Sequence, residues 1–142
     1  MTPIIAFIVL QVASTGTPSL VADGIAPCVT DLPHRCQRVI LTNPYQEEVL
    51  VPVVSRHSNV VLEPYFSFEC QATDDDEWKA RSGTIGSYLA PSIYFPVRPG
   101  ERREFVVDLP DFGSIPCAQY RVVVRDREGH LHYSAAIRTT TL

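Results

Sequence analysis

The chain has 142 residues, a formal net charge of −4, and 45% hydrophobic against 20% charged residues. That length suits one domain with a real core, and the composition is that of a globular chain, not a disordered one. Its 12 Lys plus Arg form no basic cluster, which argues against a nucleic-acid partner, and its 12 Pro disfavour long helices.

Pro3 to Val12 is an apolar run followed by Ala13, Ser14, Thr15 and Gly16. Roughly ten apolar residues are too few to span a bilayer as an anchor, where about twenty are needed. They suit the core of a secretory signal peptide with small residues behind it. Val12-Ala13-Ser14 and Leu20-Val21-Ala22 are the two sequences that offer a cleavage site, although no basic residue precedes the run. A buried first strand is the alternative. No Cys directly follows the run, so a lipid-modified N-terminus has no attachment point. We therefore read residues 1–22 as a leader and 23–142 as one domain, exported to the periplasm, the cell envelope or the medium. Ser14 to Pro27, rich in Gly, Pro, Ser and Thr apart from Leu20-Val21-Ala22, reads as a linker or a disordered leader.

From Gln37 to Thr42, Val39 and Leu41 share one face of an extended segment, and Arg38, Ile40 and Thr42 share the other. Asn43-Pro44 ends it as a turn. Glu48 to Val54 is the next strand, and Pro52 within it places that strand at an edge or a bulge. Tyr65 to Gln71 puts Phe66, Phe68 and Cys70 inward. Thr73 to Glu77 is an acidic turn, read as a solvated hairpin tip because it lacks the ligand spacing of a calcium loop. Trp78 begins the return strand, either packing beside that turn or contributing to a binding patch.

Ser82-Gly83-Thr84-Ile85-Gly86-Ser87 is a loop. With Trp78 and Tyr88, its residues Ser82, Thr84 and Ile85 are the candidate partner surface, since function concentrates on loops. Ser92 to Val97 is a short strand. Arg98-Pro99-Gly100-Glu101 has the Pro-Gly of a type II turn. Glu104 to Leu109 follows, with Phe105, Val107 and Leu109 inward. The clearest strand is Gln119 to Arg125, where Tyr120, Val122 and Val124 alternate with Arg121, Val123 and Arg125. Asp126 to Gly129 then turns the chain, and Leu131, Tyr133, Ala135 and Ile137 continue the alternation as a hairpin. About seven to eight short strands without a 3.6-residue period predict an all-β, antiparallel sandwich.

Cys28, Cys36, Cys70 and Cys117 are an even set without metal-knuckle spacing, which agrees with export. Of the three possible pairings we favour Cys28–Cys36, closing a small loop, and Cys70–Cys117, tying two distant strands and crossing the sandwich. In the chain-entropy model the longer bridge stabilises by roughly 4 kcal/mol and the shorter by somewhat under 3 kcal/mol.

The order of these motifs runs from the strand ending in Asn43-Pro44 through the aromatic strand and the acidic turn into Trp78. Pro99-Gly100-Glu101 before Phe105-Val106-Val107, and then Tyr120-Arg121-Val122, complete it. Over residues 38–139 it resembles bacterial immunoglobulin-like domains of secreted and cell-envelope proteins. Tyr120 follows Cys117 by three residues, whereas antibody-type domains place a Tyr two residues before the second core Cys. The resemblance is therefore to the broader immunoglobulin-like β-sandwich class. It implies a non-catalytic module for adhesion, recognition or spacing, and it carries over no catalytic residues.

Phosphate-binding glycine loops, Gly-x-Ser-x-Gly and His-Glu-x-x-His are absent, so no catalytic residue and no cofactor is assigned. His130 and His132 share a strand face at a spacing that can offer two imidazoles to one metal. Their face also carries Ser134 and lies opposite Leu131 and Tyr133, so the pair is expected in solvent, without metal. The leading expectation is a module that contacts a protein partner or acts as a spacer, monomeric or weakly self-associating. One alternative is an inhibitor of a protease or lysozyme presenting Ser82 to Pro91. The other is a metal-binding periplasmic protein using His130 and His132.

Overall fold

The computed structural model describes residues 19–27, 35–81, 93–109 and 116–139. The apolar run at 3–12, Cys28, and Ser82, Thr84, Ile85 and Tyr88 of the candidate partner surface lie outside the described residues. Ten strands appear among those described: β1 (Leu20–Pro27), β2 (Arg35–Thr42), β3 (Val49–Pro52), β4 (Phe66–Gln71), β5 (Lys79–Arg81), β6 (Tyr94–Val97), β7 (Arg102–Asp108), β8 (Gln119–Arg125), β9 (Leu131–Tyr133) and β10 (Ile137–Arg138). The fold is all-β. Its sheets are antiparallel and do not close into a barrel.

One sheet has the order β1-β2-β7, and β3 pairs with β6 in a second. In the third, β8 lies between β4 and the two short strands β9 and β10, and β4 continues outward to β5. Period-2 alternation explains why these segments share a core. Tyr120, Val122 and Val124 of β8, Phe68 and Cys70 of β4, Val39 and Leu41 of β2, and Phe105 and Val107 of β7 are all buried in one cluster. Pro52 ends β3, whose one strand partner among the described residues is β6, an edge position that suits its missing N–H. The turn at 98–101 forms as expected. Glu101 N donates to Arg98 O at 2.9 Å, and Gly100 holds a φ of 75°, which a side chain would resist.

Two expectations change. Residues 20–27 are not linker but strand: β1 pairs with β2 from Leu20↔Leu41 to Pro27↔Arg35, and Leu20 is 1% exposed within the core. Asp23-Gly24 looks like a breaker in sequence but serves a one-residue bulge between Ala22 and Ile25, where Gly24 takes a φ of 81°. The strand thus begins inside the segment read as leader.

Cys70 and Cys117 are bonded as predicted, with Cα atoms 5.3 Å apart. The bridge does not cross between sheets, however. Cys117 lies just before β8, and β8 is the hydrogen-bonded neighbour of β4, with Tyr120 opposite Cys70. Ala118 N also donates to Gln71 O at 2.8 Å, so the disulfide links adjacent chains at one end of a single sheet. Cys36 is disulfide-bonded too, while its expected partner Cys28 lies outside the described residues.

Candidate functional site

The hairpin after β8 assembles a buried polar cluster around Asp126. Gly129, with a φ of 88°, closes the turn, and Gly129 N donates to Asp126 O at 3.1 Å. This loop length sets Leu131 opposite Arg125 and His132 opposite Val124. The inward face of β9 therefore carries His132, which is 1% exposed, and Leu131 is 48% exposed. The expectation that His130 and His132 share a solvent face is corrected: His132 and Ser134 are buried, and His130 alone stays half-exposed.

A bulge explains why the alternation misled. Val123 pairs with Tyr133 but Tyr120 pairs with Ile137, so one extra residue is accommodated between β9 and β10. Ser134 absorbs it. Its N–H donates to Val122 O at 2.9 Å, and its hydroxyl oxygen accepts the Val122 N–H at 2.9 Å, where a ladder carbonyl would otherwise stand. The phase inverts across this point, so His132 and Ile137 both turn toward the core.

Asp126 is the hub. It is buried, and its Oδ1 accepts the His130 backbone N–H at 3.0 Å. Its Oδ2 lies 3.2 Å from His130 Nδ1 and 3.1 Å from His132 Nε2. For neutral rings the network assigns the hydrogens to those nitrogens, so His132 Nδ1 accepts from the Ser19 hydroxyl 3.0 Å away. Three separate segments meet here: the residue before β1, the β8–β9 turn and β9.

A fourth segment covers the cluster. Asn43, buried after β2, accepts Tyr45 N at Oδ1 (2.8 Å) and donates from Nδ2 to Glu47 O (2.8 Å) and Val97 O (2.9 Å). This Asx turn aims the Tyr45 ring onto His130, stacked at 4.5 Å, and edge-on to His132 at 6.0 Å. Tyr45 remains 38% exposed. It forms one wall of an open cleft of about 270 Å³ shared with Glu47, Glu48, Asp126, Glu128 and His130.

A hydroxyl, an imidazole and a carboxylate stand in line here, the order of a nucleophile relay. His132 is enclosed, the hydroxyl meets Nδ1, and neither Ser19 nor His132 lines the cleft. The three groups satisfy one another and tie the start of β1 to the hairpin. Among the described residues no group of three or more His, Cys, Asp or Glu is arranged to hold a metal ion.

Trp78 lies just before β5, half-buried. It stacks against the guanidinium of Arg121 at 4.5 Å, while Tyr133 covers that guanidinium at 4.6 Å. Arg121 is also paired with Glu69, its cross-strand neighbour, at 2.6 Å. Trp78 is therefore held within a clamp on the outer face of the β8 sheet and stands apart from the cleft. Tyr45, Asp126 and Ser19 were missed from sequence. Asp126 at four and six residues before the two histidines was the legible signal, and Asn43-Pro44-Tyr45 was another.

Comparison with family models, with curated proteins and with solved structures returned no match to this chain.

Proposed function

We propose that this chain is an exported, non-catalytic, immunoglobulin-like β-sandwich module that binds a protein partner. Export is supported by the disulfide between Cys70 and Cys117, which persists in an oxidising compartment, and by the apolar run at 3–12 with small residues behind it. No helix among the described residues is long and apolar enough to cross a membrane.

The observation that carries the binding reading is the preorganised lip formed by Tyr45 and His130. A buried carboxylate fixes the imidazole, a buried amide fixes the loop, and an exposed aromatic ring is held between them beside a recess. Rigid aromatic side chains lose little entropy on docking and are favoured as binding anchors. The carboxylates of Glu47, Glu48 and Glu128 around the recess favour a partner that presents Lys or Arg.

Affinity capture from envelope and extracellular fractions tests this. The intact protein should enrich a saturable protein partner, and Tyr45→Ala should weaken that capture at least tenfold, about 1.4 kcal/mol. Capture of nothing, or equal capture by the variant, would remove the reading.

A further inference from the structure

We infer that a proton and a basic partner compete for the recess beside Tyr45 and His130. The partner is then held near neutral pH and released in mild acid, and His130 is the group that takes up the proton. The inference rests on the binding reading above and adds the regulation of that same site.

Histidine is the side chain that changes charge between pH 5 and 8 in water. His130 lines the recess, and its side chain is 49% exposed. Its Nδ1–H points at Asp126 Oδ2, 3.2 Å away, so an incoming proton goes to Nε2. With the ring neutral, that nitrogen is an acceptor to which a Lys or Arg N–H can donate. Once protonated it becomes a donor on a cationic ring.

The groups facing the ring come from two segments and offer no cation of their own. From the loop after β2 come Tyr45, stacked on the ring at 4.5 Å, and the carboxylates of Glu47 and Glu48. From the hairpin come Asp126 and Glu128, while Arg127 of the same turn carries its guanidinium over the Tyr94 ring at 5.2 Å. His132 reaches Asp126 Oδ2 from the enclosed side. An imidazolium at His130 and the ammonium or guanidinium of a partner would therefore draw on one set of carboxylates and one aromatic face.

Asp126 cannot serve both. Its Oδ1 holds the His130 backbone N–H, and its Oδ2 already lies against two imidazoles. Like charges at such range repel, so each cation weakens the other by the same factor, as linkage requires. The proton comes from solvent and returns to solvent when the partner docks.

The probe is the peptide acetyl-Lys-Lys-Lys-Lys-amide, whose side chains stay charged from pH 5.5 to 7.5. It is titrated into the intact, disulfide-bonded protein at constant ionic strength. Binding at pH 7.5 should weaken about fivefold or more at pH 5.5. His130→Gln should remove most of that ratio, whatever its own affinity. Calorimetry at pH 6.5 in two buffers of different ionisation heat should show proton release on binding, and none in His130→Gln. Equal binding at both pH values, or an unchanged ratio in the variant, overturns the inference and leaves the basic-partner reading standing. Absence of binding at both pH values removes that reading and the inference together, so the two failures are distinguishable. Loss of the folded circular-dichroism spectrum at pH 5.5 would assign the release to unfolding and overturn the inference as well.

Discussion

Tyr120 on β8 donates its phenolic hydrogen to Oε1 of Gln37 on β2, 2.8 Å away and buried. The contact joins two sheets through the middle of an otherwise apolar cluster. Gln37 is saturated on its other side as well, because its Nε2 donates to Gly24 O at 2.8 Å and to Arg38 O at 3.0 Å. One amide thus connects β8, its own strand and the bulge in β1. Replacing Tyr120 with Phe keeps the ring but leaves Gln37 Oε1 without this donor. The expected cost is about 1–3 kcal/mol, read as a lower urea midpoint at an unchanged slope.

Alkali should act on the same bond. Burial holds the Tyr120 hydroxyl above the ordinary phenol range, and this outweighs the opposing influence of Arg35. The folded protein therefore retains this proton when the unfolded chain has released it. The stabilisation is complete below about pH 10, the unfolded value, and is lost as the pH rises toward the folded value. Melting followed across pH 8 to 12 should show a decline above pH 10 that is shallower in Tyr120→Phe. Identical profiles for the two proteins would contradict the assignment.

Ser134→Ala tests the bulge. The substitution removes the acceptor of the Val122 N–H in a buried position, at an expected cost of about 1–3 kcal/mol. The Val122 amide should exchange with solvent markedly faster than its neighbours in β8. Unchanged protection there would show that the hydroxyl does not substitute for the ladder carbonyl.

Asp126→Ala is expected to be the most damaging single change in the hairpin. It strips the acceptor from two imidazoles and one backbone N–H at once, and a loss of about 3 kcal/mol follows. His130→Ala, at a half-exposed position, should cost roughly 1 kcal/mol. Chemical denaturation of both variants gives the comparison, and a reversed order would show that Asp126 is not the hub.

The strands with strict alternation were legible: β8, β2 and β7 present the inward residues that their sequence phase predicts. So was the Cys70–Cys117 pairing, because Cys70 lies within one recognisable strand and Cys117 just before another. What period-2 reading lacks is any record of register. It cannot see that the turn after Arg125 sets His132 opposite Val124, or that Ser134 shifts the phase once more. It noticed the two histidines and sent both to solvent. β1 was hidden for a related reason, because Asp23 and Gly24 resemble a linker unless the bulge they build is known. The site at Tyr45 depends on contacts between residues far apart in the chain, such as Ser19 with His132, which no local pattern encodes.

β1 is the outermost strand of its sheet, and the step between Ala22 and Ile25 interrupts its row of amides. A second molecule approaching that margin would find no uninterrupted template on which to extend the ladder. The kink thereby works against open-ended stacking of one copy on the next.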